Sequence, residues 1–367
     1  MLIAPDDTLW HQLPTTFDHV GTSDPRFFDR YWFAAYDRRG AGALQFTLGV
    51  YQNMDVVDGG FVTIVDGRQH NLRVSRSLRP RYVPACGPLS VEIIEPLAQA
   101  RLVVGHGDHP VHGELEWTST IPPQEEAPRF TRVRGRVVED SRRFDQIGTC
   151  RGRLEVEGRP LEIDDWWACR DHSWGVRERM GIAEPITGPP ATPSDGSLFA
   201  FLFFSTAGLA GHVQIAQRTG HPDYFTAQIA DRRRPQEPPL EATGAELSLE
   251  LFDDRRPRRF RTATLTVRLE DGRTLTIDCV AQGSAIAMPG LGYGGYDDGL
   301  GLGVWRGTEH IEYETWDVSH PTEVVQQDGT VTRPVHRIQP VRVVIGDDEG
   351  MGSLTMIAEG QLPRLGL

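Results

Sequence analysis

"TATLTVRLEDGRTLTIDCVA", residues 262 to 281, alternates apolar and polar side chains on either side of an Asp-Gly pair. Successive side chains of an extended chain point to opposite faces, so Ala263, Leu265, Val267 and Leu269 share one face while Thr264, Thr266 and Arg268 share the other. Asp271-Gly272 supplies a tight turn, after which Leu275, Ile277 and Cys279 repeat the pattern. The segment reads as a β-hairpin with one buried face.

The same pattern extends outward from this hairpin. Further candidate turns stand at Asp66-Gly67, Glu157-Gly158, Asp195-Gly196 and Asp328-Gly329, with strand-like runs "GGFVTIV", "LFAFLFFS" and "VRVVIG" between or beside them. The 39 Gly and 26 Pro fit many short strands, because both residues punctuate elements and rarely sit inside helices. No long apolar period of 3.6 residues competes; the best helix candidate, "PRFFDRYWFAAYD" (25 to 37), reads equally well as a strand. The chain is predominantly β, and many strands at near-even spacing lead to sandwiches or barrels. "VEGRPLEID" (156 to 164) echoes "EDGRTLTID" (270 to 278), either as two similar hairpins or as a sign of two related β domains. Pro, Gly and Ser concentrate in "EPITGPPATPSDG" (184 to 196), a plausible joint.

Composition narrows the partners and the chemistry. At 367 residues, two domains or one large sheet structure is expected. The 38 basic and 51 acidic side chains give a net charge of -13, the wrong sign for binding phosphate backbones, so no nucleic-acid partner is expected. Every basic side chain is Arg; without Lys there is no Schiff-base catalysis, no pyridoxal phosphate anchor and no Walker-type loop. Cys86, Cys150, Cys169 and Cys279 are widely spaced, which suggests reduced thiols rather than a zinc site or a disulfide framework. The N-terminus lacks a signal pattern and no apolar run approaches eighteen residues, so a cytoplasmic protein with no membrane span is expected.

"WWACRDHSWGVRER" (166 to 179) is the richest candidate site. Aromatic rings favour burial, while unpaired buried charges are costly, so the mixture needs a reason. His172, beside Asp171 and between Trp167 and Trp174, is a candidate for proton transfer near neutral pH. In an extended segment Asp171 and His172 point to opposite faces, while Arg170 and Arg177 are available to pair with Asp171 or Glu178. The other reading is a hydrogen-bonded knot closing a barrel end.

"GRLEVEGRPLEIDDWWACRDHSWGVR" resembles the segment shared by the carotenoid 1,2-hydratase and AttH-like superfamily, whose Asp-His-Ser-Trp-Gly run after a β-hairpin is matched by Asp171, His172, Ser173, Trp174 and Gly175. Weaker similarity extends through "YWFAAYD", "VEIIEPLAQARLVV" and "GVWRGTEHIEYETWD". The resemblance implies two lipocalin-like antiparallel β-barrel domains in tandem, here divided as 1–186 and 187–367, with an apolar ligand chamber at or between them. It also implies that His172 and Trp174 line the site. The family's Tyr-Asp pair has no counterpart in "SLFAFLFFST", the corresponding strand, which argues against carotenoid hydration itself.

A replacement acid is available on "GTEHIEYETWD", where Glu312, Glu314 and His310 share one face and Glu309, Tyr313 and Asp317 the other, though an acidic strand is also simply solvated. "MPGLGYGGYDDGLGLG" (288 to 303) lacks the strand-to-helix context of a nucleotide loop. It reads as a flap over a barrel mouth, with Tyr293 and Tyr296 as donors to a ligand oxygen, or as an irregular surface loop. His106, His109 and His112 are spaced by three, but Pro110 and the flanking Gly residues make a turn of them, so no metal site is expected. His212 and His221 receive no role.

The sequence therefore predicts a cofactor-free enzyme, a hydratase or an isomerase/cyclase, acting on an unsaturated isoprenoid, polyketide or steroid-like molecule. His172 would serve as acid/base, Asp171 would fix its orientation or charge, and Trp174, Trp167, Arg177, Tyr293, Tyr296 and Glu312 would line the substrate. The alternative is a non-catalytic lipocalin-like carrier of an apolar ligand. A homodimer is compatible with either reading.

Overall fold

A computed structural model describes residues 9, 13–181, 188, 194–294 and 299–367. The hairpin at 262 to 281 is present: strands Phe260–Leu269 and Thr274–Ala281 pair Ala263 with Cys279, Leu265 with Ile277 and Val267 with Leu275. Gly272 takes the left-handed conformation that the turn requires, at φ 85°, and the Arg273 amide donates to Asp271 Oδ1 at 3.0 Å.

Among the described residues, this hairpin contributes two of eight strands of a closed antiparallel barrel, running Gly196–Thr206, Leu209–Arg218, Tyr224–Asp231, Leu240–Leu251, Phe260–Leu269, Thr274–Ala281, Arg337–Ile345 and Asp348–Gly360. Pairing of Asp348–Gly360 with Gly196–Thr206, and of Arg337–Ile345 with Thr274–Ala281, completes the circuit and leaves no open edge. Leu202, Phe204, Val213, Ile229, Leu265, Val267, Ile277 and Leu354 fill its interior.

The second antiparallel sheet is larger. The meander Phe27–Tyr36, Gly42–Tyr51, Val56–Val65 and Arg68–Ser77 joins the long hairpin Arg136–Val156 and Arg159–Val176 through the first strand. Beyond that hairpin lie Val111–Ser119, Gln99–Val104 and Leu89–Glu95. The sheet curls until Leu89–Glu95 packs on Gly42–Tyr51, enclosing Phe33, Phe46, Phe61, Leu102, Trp117 and Trp166. "PRFFDRYWFAAYD" is thus a strand. After contributing to the barrel, the chain returns: Glu309–Asp317 pairs with Arg68–Ser77 and extends the first sheet. The expected domain division at 186/187 lies outside the described residues.

A layer between the two sheets holds Trp32, Tyr36 and Trp167 against Phe201, Phe203, Ile338 and Met351. Among the hydrogen bonds that cross it are Tyr36 Oη with Ser353 Oγ and Trp167 Nε1 to Ser205 Oγ, each 2.8 Å. Of the glycine-rich stretch that reads as a flap, Met288 and Leu291 instead pack in this layer, whereas Leu302 packs with Phe28, Tyr51 and Met180. Met288, Leu291 and Leu302 are buried, and the Gly303 amide donates to Asp58 Oδ2 at 2.6 Å. Apolar side chains within the run give it surface to bury, which its Gly content obscures. All four cysteines are free and buried. No helix among the described residues is long and apolar enough to cross a membrane.

Candidate functional site

Strand Arg159–Val176 is shared by both cores. Trp166 and Ala168 face the interior of the first sheet, whereas Trp167 and Cys169 face the layer between the sheets. Continued alternation sends Arg170, His172 and Trp174 to the inner face and Asp171 and Ser173 to the outer one. Gly175 ends the motif at φ 124°, where a Cβ would stand 2.2 Å from the Asp140 carbonyl oxygen of the paired strand. Only glycine allows this approach.

His172 occupies the rim of the first sheet. Its Nε2 lies 2.7 Å from Asp29 Oδ1, and its ring centroid is 4.6 Å from Tyr31, 5.3 Å from Phe144 and 5.4 Å from Trp174. Asp29 and Tyr31 arrive from strand Phe27–Tyr36, with Tyr31 directly opposite His172; Phe144 is opposite it on the other flank. The cup is open toward solvent: the Asp29 side chain is 51% exposed, that of His172 21%. Its inner side is closed by Arg170, which donates to Gln146 Oε1 at 2.9 Å and 2.5 Å and lies over the Trp117 and Phe144 rings at 4.6 Å and 5.2 Å. Burial lowers the Arg170 pKa to about 10, so it remains a cation at neutral pH. Below it the barrel is packed with Phe33 and Trp117. His172 is therefore accessible only from the rim side.

Asp171 belongs to a different environment. Burial raises its pKa and the Glu126 charge adds to that, opposed by Arg143, Arg177 and His172. Arg143 Nε is 4.0 Å from its carboxylate, and Ser173 Oγ donates to it at 3.5 Å. Arg177 stacks on Phe28 at 4.8 Å. Tyr293 lies under Arg30, at 5.3 Å, and edge-on to His336, also at 5.3 Å. Arg30 is itself held by Asp58 at 2.8 Å, in a buried pair that Tyr51 joins.

The predicted residues thus divide. Trp174 stands with His172. Asp171, Arg177 and Tyr293 lie toward the layer between the sheets, where Trp167 is stacked on Tyr36 at 5.8 Å. Glu312 is paired with buried Arg73 at 2.9 Å, together with Glu314 at 2.5 Å. Tyr296 lies outside the described residues. Sequence reasoning passed over Asp29, Tyr31 and Phe144 at the rim, and Glu126, Arg143, Asp145 and His212 in the layer. The available signals were one acid inside the aromatic run "FFDRYWF" and a His and a Gln at alternate positions of "GHVQIA".

Comparison with solved structures supports the architecture. The chain is similar to CghA with Sch210972, at a TM-score of 0.51 and 10% identity over 92% of this chain and 89% of that one. A second CghA structure gives 0.49 and 11% over 92% and 90%. Kievitone hydratase from Nectria haematococca gives 0.44 and 11% over 90% and 89%. At such identity the first of these is a likeness of fold. No curated protein matches the sequence. The profile of one sequence family matches residues 2–367, and the chain accordingly belongs to the family of unknown function DUF8625.

Proposed function

We propose that this chain is an enzyme that moves a proton on a hydrophobic, unsaturated small molecule, with His172 as acid/base at the rim of the first sheet. The observation that carries the reading is the 2.7 Å contact between His172 Nε2 and Asp29, framed by three aromatic rings. A carboxylate accepting from Nε2–H fixes the tautomer and leaves Nδ1 with the lone pair. The hydrogen bond of the ring among the described residues is the one at Nε2.

In the forward direction Nδ1 removes a proton from carbon or from an attacking water, and Asp29 stabilises the imidazolium that results. Returning the proton to another atom completes a hydration, a dehydration or an isomerisation. The faces of Tyr31, Phe144 and Trp174 offer apolar contact to an unsaturated skeleton and, in the reverse sense, when the protonated ring first gives its proton to a double bond, favour the positive charge that develops on carbon. The resemblance of the Asp-His-Ser-Trp-Gly run supports the assignment of His172. The shared fold adds that CghA is seen with Sch210972. Asp171, on the opposite face, acts on the structure around Arg143 rather than on the reacting atoms.

The test is a screen of polyene, polyketide and steroid-like compounds against the purified full chain, with products followed by mass spectrometry. Turnover that disappears in His172→Ala while binding persists supports the proposal. Turnover unchanged by that substitution removes it, and ligands that bind and are always recovered intact indicate a carrier instead.

A further inference from the structure

Away from His172, three side chains drawn from both sheets converge between them. Glu126 follows the short strand Gln124–Glu125, Asp145 is on Arg136–Val156 and His212 is on the barrel strand Leu209–Arg218. They are 3%, 1% and 0% exposed, and each offers a ligand atom within 4.8 Å of the others. Neither oxygen of Asp145 accepts a hydrogen bond from a donor among the described residues, and the carboxyl group it faces most closely is that of Glu126. A carboxylate so far from water is rarely left unanswered.

Charge points the same way. Three carboxylates, Glu126, Asp145 and Asp171, gather around one guanidinium in contact, Arg143, which is 3.1 Å from Glu126 and 4.0 Å from Asp171. Arg177 acts on Asp171, and among the described residues no second guanidinium pairs with Glu126 or Asp145. We propose that Glu126, Asp145 and His212 bind a divalent metal ion of the zinc type that clamps the two sheets together.

Tetrahedral donors at zinc-ligand bond lengths of about 2.0–2.2 Å lie about 3.3–3.5 Å apart. His212 Nδ1 stands 3.4 Å from Asp145 Oδ2. Gln124 Oε1, 3.3 Å from the same nitrogen, is placed as a neutral fourth donor. Arg143, Gln214 and Tyr224 all donate to the Glu126 carboxylate, at 3.1, 3.3 and 3.2 Å, and orient it as partners behind a metal ligand do. One imidazole with two carboxylates suits zinc better than magnesium, which prefers oxygen ligands and retains water. The site is separate from the His172 cup and does not depend on the activity proposed there.

The full chain, stripped with chelator, is loaded with zinc sulfate both in the native state and during refolding, then dialysed and assayed by elemental analysis. About one zinc per chain is expected, with a melting temperature raised by roughly 5 °C or more. Cobalt(II) in its place should give the intense visible absorption of a tetrahedral ion. Asp145→Asn and His212→Gln should each hold less than about a tenth of an equivalent, while Glu155→Gln keeps it. Wild-type protein that retains no zinc by either route, a cobalt spectrum without the tetrahedral band, or folded variants that keep a full equivalent would overturn the proposal. The first of these results would leave a proton shared by Glu126 and Asp145 as the answer to the same charge. Metal content and the cobalt spectrum are read on the wild type, so misfolding of a variant does not shield the proposal.

Discussion

Asp171 and His172 are adjacent in the chain yet serve opposite sides of one sheet: His172 meets Asp29 at the open rim, and Asp171 lies 4.0 Å from Arg143 toward the barrel. The carboxylate that orients the imidazole comes from 143 residues away. Adjacent residues in a strand cannot form such a pair on one face.

Asp29→Asn keeps a side chain of the same shape but removes the charge that stabilises the imidazolium. We expect kcat/KM on an identified substrate to fall by about 100- to 1,000-fold, within the range of general acid-base assistance. Nitrogen NMR of labelled protein supplies a check without substrate: the wild type should show His172 as the Nε2–H tautomer, and the variant a mixture. A single tautomer retained in both would show that Asp29 does not control the ring.

Gly175→Ala places a methyl group against the Asp140 carbonyl oxygen in a backbone region that side chains avoid. The expected loss is about 2–4 kcal/mol of unfolding free energy, measured by urea titration. Because Trp174 precedes this residue, its fluorescence should also shift. A loss below about 0.5 kcal/mol would mean that the hairpin relaxes freely there.

Trp167→Phe removes the indole donor that reaches Ser205 across the two sheets at 2.8 Å. Both groups are buried, so the variant and Ser205→Ala should each cost about 1–2 kcal/mol, with a favourable coupling of about 1 kcal/mol in the double-mutant cycle. Additive effects would show that the bond contributes nothing beyond packing.

His212 supplies a pH dependence of definite sign. Its pKa in the fold, about 4, lies below the 6.5 of an exposed imidazole because burial disfavours the charged ring; Glu126 opposes this and Arg143 reinforces it. The unfolded chain therefore takes up a proton that the fold refuses, and this contribution to stability, complete above pH 6.5, is lost as pH falls toward 4. Asp145, raised by burial and by Glu126, works in the opposite direction, since the fold holds a proton that the unfolded chain releases. In chelator, Asp145→Asn should steepen the loss between pH 7 and pH 5, by up to about 2 kcal/mol, and His212→Gln should flatten it. Urea titrations at the two pH values read the difference, and equal slopes in all three proteins would contradict the account.

The sequence alone determined the strands and much of their register. Alternation around Asp271-Gly272 places Ala263, Leu265 and Val267 opposite Cys279, Ile277 and Leu275, because a period of two is a local property of extended backbone and a turn fixes which residues face one another. It also marked His172, since an ionisable ring among tryptophans is conspicuous in one dimension. Only the tertiary structure decided which carboxylate meets that ring, that the glycine-rich run near 288 is buried between sheets, and that Glu126, Asp145 and His212 meet. Those contacts join strands far apart in the chain, and their geometry follows from how two curled sheets pack face to face, which no local pattern encodes.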